Sequence, residues 1–252
     1  MHAENPGATF QAASQFNCLE FCNPKLVPEE GVTFYYADMT QGPACALACA
    51  AGTIVRNYFA PVDARRPDDR GQTKEYQINL LDTLGEQLDN ARHKFWTVEN
   101  GYTFSTVEKL TALNQALSGL DLDTLKDVVK VGVHADTTVT FAKRFAEPVT
   151  PCQVTQVYAS ALSCAYSGVE TQHWASLAEI VLDAAYEATL WAAVLNRARG
   201  GTRDVFLTAL GGGVFGNDIA WIGTAMGRAM ARAHAMCADI NVRVSCSFKL
   251  SC

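Results

Sequence analysis

The 252-residue chain contains no apolar run that approaches the roughly 18 residues a membrane-spanning helix requires. Its first residues, Met1-His-Ala-Glu-Asn-Pro6, lack the basic-then-apolar order of a secretory leader. An intracellular protein without membrane association is expected. Basic residues are also scarce, with 20 Lys and Arg against 26 Asp and Glu and a net charge of −6. That balance leaves no surplus for neutralising nucleic-acid phosphates, so no nucleic-acid partner is expected. There is no internal repeat and no low-complexity tract. No Gly-Lys-Ser/Thr follows the glycine cluster at 211–216, which excludes a P-loop, and the glycine spacing is not that of a dinucleotide fingerprint. Ser163 and Ser167 lack the Gly-x-Ser-x-Gly elbow of a serine hydrolase. The five histidines form no set: His134 falls in a strand, His173 at a helix start and His234 in a helix.

Cysteine, by contrast, is abundant at nine residues. The pairs Cys18/Cys22 and Cys45/Cys49 are spaced by four rather than by the two residues of a zinc knuckle, and no histidine lies beside either. Cys45 and Cys49 sit in Ala44-Cys-Ala-Leu-Ala-Cys-Ala-Ala51, where cysteine serves as one more small apolar residue. The thiols therefore read as reduced and buried, and neither a metal nor a cofactor is called for.

At 49% hydrophobic and 18% charged, the composition is that of a globular chain able to bury a large core. Strand and helix patterns alternate throughout. Val32-Thr-Phe-Tyr-Tyr36 reads as a strand, ending at Asp38 before a small-residue helix from Gly42 to Phe59 with Pro43 in its first turn. The stretch 60–75, rich in Pro, Asp and Arg, reads as a surface loop. Tyr76–Leu88, Val107–Leu117 and Leu122–Val129 carry helical spacing. Phe95–Val98 reads as a short extended piece before the turn Asn100-Gly101. Further strands are read in Lys130–Phe141, Val154–Tyr158 and Val242–Phe248. Leu177–Arg199 reads as a long helix. Together these predict one α/β domain over residues 1–252 with a mixed sheet.

The stretch with most to say about function is Asp204-Val-Phe-Leu-Thr-Ala-Leu-Gly-Gly-Gly-Val-Phe-Gly-Asn-Asp218. Val205 to Leu210 reads as a buried parallel strand, the glycines remove Cβ atoms from a loop, and helical spacing resumes at Ile219. A strand, a glycine loop and a helix start aim backbone N–H groups at one point, which suits an anion such as phosphate. A tight turn without a ligand would show the same letters. The approach to the helix at Pro43 offers a second such unit, in which Asp38, Thr40, Gln41, Gly42 and Pro43 border the same edge. In an α/β sheet, ligands bind outside the carboxyl ends of strands, where both loops fall.

Strand-Gly-Gly-Gly-Val-Phe-Gly-Asn-helix resembles the diphosphate loop of macrodomains, and Ala185-Tyr-Glu-Ala-Thr-Leu190 resembles the helix that leads into it. The resemblance is nearest to the divergent branch of arginine-directed bacterial effector macrodomains and their eukaryotic relatives. It implies a three-layer α/β/α fold. It also implies an ADP-ribosyl hydrolase that removes ADP-ribose from modified protein side chains, arginine above all, with ADP-ribose or an ADP-ribosylated protein as partner. Gly211, Gly212, Gly213, Val214, Phe215 and Gly216 would then wrap the diphosphate, with Asn217 capping the turn or reaching a ribose hydroxyl. Phe16 would stack on adenine and Asn17 would read its edge. Many hydrolytic macrodomains carry an acid in the helix after the other phosphate loop; here Gly42-Pro-Ala-Cys-Ala has none. A module that binds ADP-ribose without cleaving it therefore remains an alternative, and an α/β enzyme acting on another phosphorylated metabolite a third. Candidate catalytic carboxylates are Asp38, at the ligand edge, and Asp183 and Glu187. These last two lie four apart on an apolar helix, where like charges call for a compensating arginine, metal or substrate. Asp82 and Asp136 are lesser candidates.

Overall fold

A computed structural model describes residues 1–63, 68–141 and 150–245. Its elements are β1 (Thr9–Ala13), α1 (Gln41–Ala48), α2 (Ala50–Tyr58), α3 (Asp82–Gln87), β2 (Thr97–Glu99), β3 (Tyr102–Phe104), α4 (Val107–Leu117) and α5 (Leu122–Lys126). They are followed by β4 (Gly132–Thr138), β5 (Gln153–Ala159), α6 (Ala175–Ala198), β6 (Asp204–Thr208), α7 (Ile219–Ala235) and β7 (Asn241–Ser245). Five strands form one mixed sheet in the order β4-β5-β1-β6-β7. β1, β5, β6 and β7 run parallel; β4 is antiparallel to β5, with a bulge between His134 and Thr137. The expected α/β architecture with a mixed sheet is present.

The alternation of side chains across the strands sorts the layers. Ala159 of β5 and Val205 and Leu207 of β6 lie beneath α6 and α7. On the opposite face, Phe10, Val154 and Phe206 pack with Cys49 at the junction of α1 and α2. The sheet is thus sandwiched between two helical layers. Helix α6 is fixed in register by polar contacts as well as apolar ones. Asn196 donates to Gly7 O (2.9 Å) and accepts from Thr155 Oγ1 (2.9 Å), so its depth over β1 and β5 is set.

Several sequence expectations are corrected. Val32–Tyr36 is not a strand: Thr33–Ala37 is a 3-10 turn closed by Tyr35 N–H to Val32 O (3.3 Å) and Asp38 N–H to Tyr35 O (3.2 Å). β-Branched and aromatic residues favour a pleated surface only where a neighbouring strand exists. Here Tyr35 alone turns inward, and its hydroxyl accepts the Glu20 N–H at 2.8 Å. The helix expected from Gly42 to Phe59 breaks at Cys49, because Ala48 O takes a hydrogen bond from Thr140 N–H (2.7 Å) after β4. The helix expected over Tyr76–Leu88 begins only at Asp82. Leu80 spends its N–H on Phe16 O and its carbonyl on Lys130 N–H, which leaves neither for a helical ladder. Within 60–75 the described residues form no helix or strand beyond a bridge between Pro61 and Arg70, and residues 64–67 lie outside the described set. Of the last expected strand, residues 246–248 lie outside it as well. Asn100 and Gly101 both have positive φ (48° and 79°), the requirement of a two-residue type I′ hairpin, and they join β2 to β3. No helix among the described residues is long and apolar enough to cross a membrane.

Candidate ligand cleft

The sheet opens between β1 and β6. Their ladder covers only Thr9 with Val205 and Phe10 with Phe206, after which the strands diverge toward their carboxyl ends. Two glutamine side chains occupy the gap. The Gln41 amide donates to Gln11 O (2.8 Å) and accepts from Ala13 N–H (2.8 Å), which replaces the missing strand neighbour. Gln11 in turn accepts from Thr208 N–H (3.2 Å) and donates to Thr189 Oγ1 (2.9 Å) on α6. The buried main-chain groups are thereby satisfied without closing the split. The chain visits β4 and β5 on one side of β1 before crossing to β6 and β7 on the other. A crevice at such a reversal is where α/β sheets hold ligands.

Above this split lies a cleft of about 1000 Å³. The sequence-predicted residues Asp38, Thr40, Gln41, Gly42 and Pro43 line one wall, and Gly211, Gly212, Gly213, Val214 and Phe215 the other. Gly42 belongs there for a packing reason: a Cβ would stand 1.9 Å from Ala13 O, so only glycine lets α1 approach the end of β1. The opposite loop is bent at Gly211 and Gly216, each with φ of 71°. It is anchored from below, where the buried Tyr186 hydroxyl donates to Thr208 O (2.8 Å) and accepts from Leu210 N–H (2.9 Å). Phe215 packs into a trio with Tyr102 (5.4 Å) and Tyr166 (5.8 Å), which holds the loop at that height. Gly216 and Asn217 do not line the cleft. Asn217 ties the loop down by donating to Leu162 O at 2.7 Å.

Backbone donors converge here. Among the described residues the N–H groups of Gly213, Val214 and Phe215 make no hydrogen bond, and neither do those of Gln41 and Gly42 at the start of α1. Unused N–H groups at a loop and at a helix N-terminus form a positive concavity without any basic side chain. No Lys or Arg among the described residues lines the cleft, whereas three carboxylates, Glu4, Glu20 and Asp38, do. Asp38 is half-buried; its Oδ1 accepts Thr40 N–H (2.8 Å), and its Oδ2 has no hydrogen-bond partner among the described residues.

Glu20 was not singled out from the sequence. It is 2% exposed, and both carboxylate oxygens accept from Arg56 Nη2 (2.9 and 3.1 Å). Arg56 lies over the Tyr158 ring at 3.5 Å and donates to Cys18 O at 3.0 Å. Burial pushes the Glu20 carboxyl up to about 7, against the opposing pull of Arg56. From there a buried polar chain continues through Tyr158 to Gln156 and on to His2, which lines the far end of the cleft stacked on Phe10 (3.9 Å). Burial holds His2 down at about 4, so its ring is neutral near pH 7.

Other candidates lie elsewhere. Phe16 is fully buried in the core formed with Leu80, Trp96 and Leu162, and Asn17 is spent on Leu19 N–H and Gln77. The structure therefore does not bring Phe16 or Asn17 to the cleft. Asp183 and Glu187 are also set apart, on α6 against α7. Asp183 pairs with Arg228 (2.9 Å) and Lys126 (3.7 Å), and Glu187 with Arg232 (3.0 Å). The compensation their spacing called for is arginine. Asp82 pairs with Lys130 (2.7 Å) and Asp136 with Arg199 (3.3 Å). The described cysteines carry no disulfide, and burial pushes the thiols of Cys18, Cys45, Cys49 and Cys164 up to about 12.

No protein-family profile and no curated protein matches the chain. Two crystal structures of poly(ADP-ribose) glycohydrolase from Thermomonospora curvata match over 57% of this chain at 19% identity and a TM-score of 0.36, one of them bound to the inhibitor ADP-HPD. The match covers 50% and 54% of those chains, so this protein spans about half the length of the structures it is similar to.

Proposed function

We propose that the cleft binds ADP-ribose and that the chain hydrolyses its glycosidic link to a modified protein side chain, arginine being the linkage the site suits. One observation carries this reading. Two loops with unused backbone N–H groups, Gly213–Phe215 and Gln41–Gly42, face each other across the split between β1 and β6. Such a cradle suits a diphosphate, which needs several donors at once and tolerates no Cβ in its path. Because no Lys or Arg among the described residues lines the cleft, its anion would be held by the main chain alone, while the Asp38 carboxylate beside it favours a cation. A guanidinium-linked ribose offers both charges in that order.

Cleavage at an anomeric carbon passes through an oxocarbenium-like state, and water adds as the nitrogen leaves with a proton. Asp38 is the candidate for the carboxylate beside the reacting ribose, since one of its oxygens is free and it adjoins the α1 cradle. Glu20, beneath Gly42, keeps Arg56 and the 18–22 segment in place. The first turn of α1 carries no acid, which keeps the binding-only reading in play. Incubation with an ADP-ribosylated arginine peptide, read as released ADP-ribose, decides between them. Hydrolysis by the native chain, reduced about 10²-fold or more in Asp38→Asn, supports the enzyme. Binding of ADP-ribose without release supports the module.

A further inference from the structure

The mouth of the cleft carries large apolar side chains that the ADP-ribose reading does not use. Phe34 is 60% exposed, Tyr36 68% and Met39 94%, all within six residues of chain, while Tyr35 between them is buried. Single exposed apolar residues are ordinary; three within six residues of chain are not. Across the opening, Val214 on the glycine loop is 66% exposed. Met39 and Val214 both line the cleft, so the apolar surface runs from its rim outward along the 3-10 turn Thr33–Ala37. Asp38, also a lining residue, sits within that surface.

We propose that this rim is a docking platform for the polypeptide that carries the ADP-ribosyl group, with apolar residues of that polypeptide against Phe34 and Tyr36 and its modified arginine beside Asp38. The inference rests on the ADP-ribose reading. Continuity argues for this occupant: a chain whose modified side chain enters the cleft must cross the rim, and Met39 belongs to both surfaces. Charge argues likewise, because Asp38 keeps one carboxylate oxygen without a hydrogen-bond partner among the described residues, whereas the Met1 ammonium that also lines the cleft is answered by Glu4 (3.4 Å). A free nucleotide would gain nothing from Phe34 or Tyr36, which lie outside the cleft lining. The platform therefore separates protein-bound from free ADP-ribose.

The test is displacement of labelled ADP-ribose, read before turnover, by free ADP-ribose and by an arginine peptide with flanking leucines that carries ADP-ribose on its guanidinium. The native chain binds the peptide about fivefold tighter than free ADP-ribose, and Phe34→Ser/Tyr36→Ser loses that preference while keeping its affinity for ADP-ribose. Equal affinities for the two ligands in the native chain overturn the platform and leave the cleft reading standing. A loss of both affinities in a variant that stays folded by circular dichroism also overturns it, because the turn then acts on the cleft itself. If labelled ADP-ribose is not bound at all, the cleft reading falls and the platform with it.

Discussion

Glu20 and Arg56 face each other with almost no access to water, and an ion pair in that position is costly to break and cheap to replace as a whole. Removing one partner strands the other. Arg56→Met is expected to cost about 3–5 kcal/mol in denaturant unfolding, and Glu20→Gln/Arg56→Met to recover most of that loss. Losses that simply add would show the two groups to be uncoupled. His2 gives a pH prediction whose sign follows from its depressed pKa. Between the ordinary 6.5 and about 4 the unfolded chain takes up a proton that the folded chain refuses, so stability falls as pH drops through that window. The contribution lost by pH 4 is about 3 kcal/mol at 1.36 kcal/mol per unit. His2→Phe keeps the stack on Phe10 and is expected to flatten that part of the profile, as measured by melting temperature against pH. At this scale the sequence was legible where a residue's meaning is local. Gly211, Gly212, Gly213 and Gly216 announce a loop because they lack Cβ atoms. Glu20 announced nothing, since an acid between Leu19 and Phe21 has a role only once Arg56, 36 positions on, is placed beside it.

Helix α1 shows how an element can be right in kind and incomplete in reason. Its start, within a residue, and its small residues are readable, yet nothing in those letters marks the Gln41 side chain as a strand partner for β1. Gln41→Ala leaves Ala13 N–H and Gln11 O without partners at a part-buried site. It is expected to cost about 1–3 kcal/mol in unfolding and to weaken ligand binding, because α1 then floats over the split. Gln41→Glu separates the two roles, since a carboxylate still accepts from Ala13 N–H but cannot donate to Gln11 O. It should retain part of the stability and lose affinity. An unchanged melting temperature in Gln41→Ala would show that the bridge is incidental. The 3-10 turn Thr33–Ala37 reads as a strand for a physical reason: its alternation of residues is that of a pleated surface, and only the lack of a pairing strand among the described residues decides otherwise. Asp183 and Glu187 stand out in the sequence by their like charge on an apolar helix. The arginines that answer it, Arg228 and Arg232, lie one turn apart on α7, out of reach of a reading confined to α6.

At the scale of the whole molecule, the strand–helix alternation and the rule that ligands lie outside the carboxyl ends of strands together placed both loops at one edge, and there they meet. What the alternation could not show is where the sheet splits. That depends on β1 keeping only two ladder partners with β6, and on α6 and α7 covering one face while α1 and α2 cover the other. On the proposed reading the main chain of Gly211–Phe215 holds the diphosphate of ADP-ribose, a contact that calorimetric titration reads without a turnover assay. A Cβ at Gly213 meets nothing within 4 Å, so Gly213→Glu places an acid in the cleft without disturbing the fold. The native chain is expected to bind ADP-ribose with micromolar affinity, roughly −8 kcal/mol, and the variant to show no heat while melting at the native temperature. Binding that survives Gly213→Glu, or a native chain that gives no heat, would contradict a diphosphate held by this loop.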